Sequence, residues 1–108
     1  MEKIVLIYKT QKGKEPFVDW LNELGDNILK YRVLARTRRL QHGNYGDHKR
    51  FKGIIELRLH FGKGYRVYFG EEGSKIVILL MAGDKSSQDK DIKQALEYWR
   101  DYHEQKEI

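Results

Sequence analysis

Five residues have the types and spacing that phosphodiester chemistry asks for: Glu56, Arg58, His60, Arg66 and Lys85. RNA can be cut without a metal when its ribose 2′-oxygen attacks the neighbouring phosphorus and the 5′-oxygen leaves. The step needs a base for the 2′-proton, a cation for the charge crowding around phosphorus, and an acid for the leaving oxygen. Arg58 and Arg66 can each fork onto two phosphate oxygens. Histidine titrates near neutral pH, so His60 suits either the base or the acid. Glu56 is either a base or a partner that orients Arg58 or His60. Lys85 lies just past the most apolar run of the chain, where a loop residue reaches the same face.

Each residue also has a plainer reading. Glu56 and Arg58 stand two apart on one strand face and can simply pair, which at an exposed site is worth about 1 kcal/mol or less. His60 adjoins a turn and can be solvated surface. Lys85 can merely sit beside Asp84. Arg66 is different: flanked by Tyr65 and Val67, it needs a partner, and an anion serves as well as a carboxylate. His42, His48 and His103 lack metal-ligand spacing, so they read as surface residues, with no metal or other cofactor expected.

These side chains need a sheet to gather them. In Ile54–His60, Ile55, Leu57 and Leu59 point one way, and Glu56, Arg58 and His60 point the other. Gly62-Lys63-Gly64 makes a hairpin turn into Tyr65–Phe69, where Tyr65, Val67 and Phe69 alternate with Arg66 and Tyr68. If both apolar sets face one core, the polar sets converge on the opposite face. Lys75–Ala82 is apolar on both faces, as a covered central strand must be. Lys3–Tyr8 predicts another strand. Pro16 opens a helix through Phe17, Trp20, Leu21 and Leu24, which Gly25 ends. Asp26 caps a second helix, with Leu29, Val33 and Leu40 on its apolar face. The last helix follows Ser86 or Ser87, with Ile92, Ala95, Leu96 and Trp99 inward; Trp20 and Trp99 read as core. His42–Gly53 reads as a loop. The order is β-α-α-β-β-β-α, an α+β arrangement with a mostly antiparallel sheet and helices packed on it.

The chain has 108 residues, which suits one domain over 1–108, and a net charge of +5. The charge is unevenly spread. Between Lys30 and Lys52 there are eight basic residues and one acid, Asp47. Such a patch is the electrostatic footprint of nucleic-acid binding, or else a solvated basic surface. Arg32, Arg36 and Arg39 repeat at helical spacing as a cationic stripe, and Lys49, Arg50, Lys52 and the later Lys90 are further candidate RNA contacts. The absence of cysteine excludes disulfides and thiolate metal sites and suits a reducing compartment. The longest apolar run, Ile76–Ala82, is far too short to cross a membrane. The first residues show no signal peptide, so a cytoplasmic location is expected.

Four segments together resemble the RelE/ParE toxin superfamily, in its branch of HigB-like addiction-module killer proteins. They are LNELGD at Leu21–Asp26, RVLARTRRLQHGNYGDHK at Arg32–Lys49, IELRLHFGKGYRVYF at Ile55–Phe69 and GDKSSQDKDI at Gly83–Ile92. The resemblance spans nearly the whole chain and implies a RelE-like fold. It implies a toxin of a type II toxin–antitoxin system, inhibited by a cognate helix-turn-helix antitoxin. Operator DNA is then met only through that antitoxin. RelE-like members cut messenger RNA on the ribosome without a metal. Their arginine after the Gly-Tyr hairpin corresponds to Arg66, and their basic residues before and after it correspond approximately to Arg58 and Lys85. RelE has a tyrosine where this chain reads Lys90-Asp91-Ile92, and a lysine near Glu56. The phosphate-holding role therefore carries over better than the acid and base. ParE-like members instead inhibit DNA gyrase without enzymatic activity, and a degenerate member would only bind antitoxin. The Arg32, Arg36 and Arg39 stripe would suit an acidic antitoxin segment.

Overall fold

The computed structural model describes residues 2–107. Its aliphatic first run forms strand β1 (Ile4–Ile7). Pro16 then opens helix α1 (Pro16–Glu23), at a position whose N–H has no partner to lose. Asp26 caps helix α2 (Asn27–Arg38) by accepting hydrogen bonds from the N–H groups of Ile28 and Leu29. A 3-10 turn, Arg39–His42, follows. Strands β2 (His48–Phe51), β3 (Ile54–Arg58), β4 (Arg66–Glu72) and β5 (Ile76–Gly83) come next. A 3-10 turn, Lys85–Ser87, leads into helix α3 (Gln88–Lys106).

The strands form one sheet in the order β1-β5-β4-β3-β2. β1 runs parallel to β5, and the other pairs are antiparallel. The architecture is α+β, a five-stranded mixed sheet with three helices. β2 corrects the expectation of a loop over His42–Gly53 and adds a strand to the expected order. Its residues carry no apolar alternation because it is an edge strand whose His48, Lys49 and Arg50 are exposed. Its hairpin with β3 closes through Lys52 and Gly53, at φ +46° and +99°. Two successive positive φ values are what the favoured two-residue hairpin turn requires.

Helices cover both faces of the sheet. Ile55, Leu57, Val67, Phe69, Val77 and Leu79 pack with Phe17 and Leu21 of α1 and Val33 of α2. Ile54, Tyr68, Ile78, Leu80 and Met81 pack with Ala95 of α3, and with Trp99 at the margin. β5 serves both cores by alternation, and its register against β4 slips by one residue: Tyr68 pairs with Met81, and Phe69 with Leu79. The extra residue in this bulge, Leu80, joins Met81 on the α3 side. Among the described residues, no helix is long and apolar enough to cross a membrane.

α3 lies so close to the sheet that Trp99 takes the place of a side chain at Gly70. A Cβ at Gly70 would overlap the six-membered ring of Trp99. Gly70→Ala is therefore expected to destabilise the protein by about 1–3 kcal/mol, the usual cost of overpacking a filled core. The check is thermal unfolding. A melting temperature equal to that of the wild type would mean that α3 yields without cost.

Candidate functional site

The site is built on a two-by-two block of side chains. Glu56 pairs with Tyr68 across β3 and β4, and Arg58 pairs with Arg66 one step further along. All four point to the α3 face, as their alternation with Ile55, Leu57, Val67 and Phe69 requires. Like charges directly opposite each other destabilise a sheet. The compensating group is Glu56, which is fully buried. Its Oε1 accepts from Arg58 Nε at 3.2 Å, and its Oε2 accepts from Tyr68 Oη at 3.1 Å and from Gln88 Nε2 at 2.8 Å. Arg66 Nε lies 3.9 Å from the same Oε2, an ion-pair distance without a hydrogen bond. Burial, then the Glu56 carboxylate, push the Tyr68 hydroxyl far above the ordinary tyrosine range, so it remains a donor.

Glu56 thus holds the inner edge of Arg58 by a hydrogen bond and that of Arg66 by charge. Among its donors is Gln88, the first residue of α3, which ties that helix to the sheet at this point. With every hydrogen-bonding neighbour a donor and no exposed surface, Glu56 is placed to orient arginines rather than to meet a substrate.

Arg58 and Arg66 line one hollow, of about 440 Å³, with Asp47, His60 and Lys85. Lys85 reaches it from the 3-10 turn after β5, where its backbone N–H faces the Lys63 carbonyl across the 62–64 turn. The Arg66 side chain is only 14% exposed, whereas that of His60 is 74% exposed. His60 lies beyond the end of β3, and its Nε2 stands 2.6 Å from Asp47 Oδ2. Asp47 also places its other carboxylate oxygen 4.0 Å from Arg58 Nη1, and its backbone carbonyl accepts the Arg58 N–H at 3.0 Å. The expected convergence of Arg58, His60, Arg66 and Lys85 is present; Asp47 joins them unforeseen. Spacing along the chain offered no signal for it, because a loop carries it to the end of β3.

A second hollow, of about 550 Å³, runs along α2 and shares Asp47, Arg58, Leu59, His60 and Phe61 with the first. Arg32, Arg36 and Arg39 all line it, but they are not one exposed stripe. Arg36 is half-buried, and its Nη2 donates to the Tyr45 carbonyl at 2.7 Å, holding the loop that presents Asp47. Burial, then the neighbouring Arg39, lower its pKa from the ordinary arginine value. Arg32 lies over the Phe61 ring, 4.1 Å from its centroid.

The remaining basic candidates stand apart. Lys49, Arg50, Lys52 and Lys90 line neither hollow. Arg50 is paired with Glu71 at 2.8 Å, and Lys49 lies over the Phe51 ring. Lys90 lines a separate depression with Lys85 at the start of α3. No three His, Cys, Asp or Glu residues gather in a metal-binding group among the described residues.

The chain is 52% identical over 80 residues to a protein of Haemophilus influenzae described as an uncharacterized protein, over 73% of this chain and 81% of that one. The two belong to one family. No family model matches the chain. The Haemophilus influenzae relative carries no activity in its description, and a shared fold does not define a reaction. The chemistry has to be read from the cleft.

Proposed function

We propose that this protein is a toxin of the RelE/ParE type, with a RelE-like fold, that cuts ribosome-bound messenger RNA without a metal. Its partner is a cognate helix-turn-helix antitoxin, through which alone it meets operator DNA, and it works in the cytoplasm. The observation that carries this reading is the juxtaposition of Arg58 and Arg66 across β3 and β4, backed by buried Glu56 and flanked by Lys85. Three cations at one small hollow suit a phosphodiester whose negative charge rises during reaction.

The scissile phosphate sits against the outer ends of the two guanidinium groups. A guanidinium offers paired donors and keeps its proton near neutral pH, so the charge stays available throughout the step. His60, oriented by Asp47, takes the 2′-proton as the 2′-oxygen bonds to phosphorus. The bond from phosphorus to the 5′-oxygen breaks, and Lys85 gives that oxygen its proton. The products are a 2′,3′-cyclic phosphate and a free 5′-hydroxyl.

Expression of the protein without its antitoxin should arrest translation and leave messages cut within their coding regions, as read by mapping of RNA ends. Intact messages with gyrase arrest and broken DNA would replace this reading with that of a ParE-like inhibitor. Unimpaired growth would reduce the protein to an antitoxin-binding member.

A further inference from the structure

The second hollow has a chemistry of its own, and its neighbour's role does not explain it. Arg36 is tied to the Tyr45 carbonyl, which leaves Arg32 and Arg39 as the outer cations of its α2 side. Arg32, an exposed residue, is laid over the Phe61 ring. Tyr31, the adjoining residue of α2 on the same hollow, is an aromatic ring left 67% exposed. Flat guanidinium and aromatic faces are what unpaired bases stack on. The lining contains one carboxylate, that of Asp47, at the saddle between the two hollows. A carboxylate repels phosphate but accepts hydrogen bonds from the amino group of a base.

The geometry points to a nucleobase subsite along α2, next to the phosphate site and specific for an amino-bearing base in single-stranded RNA. The inference rests on the phosphodiester reading of Arg58, Arg66 and Lys85 and adds where the flanking base goes. The base stacks on the Arg32–Phe61 platform beside Tyr31, while its amino group reaches Asp47. Adenine, guanine and cytosine carry such a group, and uracil does not.

The test is an NMR titration of the full chain with inorganic phosphate and with two uncleavable dinucleotides, 2′-O-methylated adenylyl-adenosine and uridylyl-uridine. Phosphate should perturb the residues of the first hollow, Arg58, Arg66 and Lys85 foremost, and leave Tyr31 and Arg32 unmoved. The adenine dinucleotide should also perturb Tyr31 and Arg32, and bind several-fold more tightly than the uracil one. Arg32→Ala should weaken adenine dinucleotide binding roughly tenfold, the scale of one lost stacking contact, with phosphate binding unchanged. Asp47→Asn should erase the preference for adenine over uracil. If phosphate binds but the adenine dinucleotide perturbs nothing beyond it, or Arg32→Ala binds as the wild type does, the subsite is wrong and the phosphate site stands. If neither phosphate nor dinucleotide binds, the phosphodiester reading falls, and the subsite with it.

Discussion

Arg66→Ala should lower cleavage of ribosome-bound message by roughly a hundred- to thousand-fold, the ~3–4 kcal/mol lost with one preorganised donor to a developing oxyanion. The loss should fall on turnover more than on binding, because the guanidinium gains most as charge builds at phosphorus. The fold should survive. Glu56 keeps its bonds from Arg58, Tyr68 and Gln88, and Arg58 loses a like-charged neighbour directly across the strands. Arg66→Lys should recover only part of the rate, since an ammonium cannot make the fork. Single-turnover cleavage set beside thermal unfolding decides the matter. Wild-type cleavage by the alanine variant, or a loss fully matched by unfolding, would remove Arg66 from the chemistry.

The second large effect belongs to stability. Glu56→Ala strips the acceptor from Arg58 Nε, Tyr68 Oη and Gln88 Nε2 together, and takes from Arg66 its nearby counter-charge. Removing one partner of a buried ion pair costs about 3–5 kcal/mol, because the groups left behind stay desolvated and unpaired. Urea unfolding should show that loss as a lower midpoint. Glu56→Gln keeps the volume and one accepting oxygen, but turns a second donor toward groups that already donate. It should be intermediate in stability and still slow in turnover, because neither arginine retains its charged anchor. An alanine variant as stable as the wild type would mean that water or a neighbouring group replaces the carboxylate, and that the buried block is not what fixes the arginines.

What was legible in the sequence was mostly a matter of period. Alternation in Ile55–Leu59 and Tyr65–Phe69 put Arg58, Arg66, Glu56 and Tyr68 on one face, and the structure has them there. Asp26 was readable as a helix cap because the cap is local. What was not legible depended on what lies across from a residue. A strand face carrying Glu, Arg and Tyr looks solvent-exposed, yet α3 covers it and Glu56 is fully buried. Helical spacing put Arg36 in line with Arg32 and Arg39, but its guanidinium turns to the Tyr45 carbonyl. Strand β2 was missed because an edge strand rich in Lys and Arg has no buried alternation to betray it. Asp47 and Gln88 meet the site through a loop and a helix start, and no periodicity reports either.

The pairing of β1 with β5 joins Ile4–Ile7 to Ile76–Leu79. The first of the described strands therefore waits for the last of them to be made. The cleft waits longer still, since Lys85 and the Gln88 that steadies Glu56 follow that strand. Contacts so distant along the chain form late, after their loop-closure entropy has been met. A nascent chain thus holds no assembled cleft until α3 has begun to emerge. Under the proposed function, the order of synthesis would keep the protein from acting on the ribosome that is producing it.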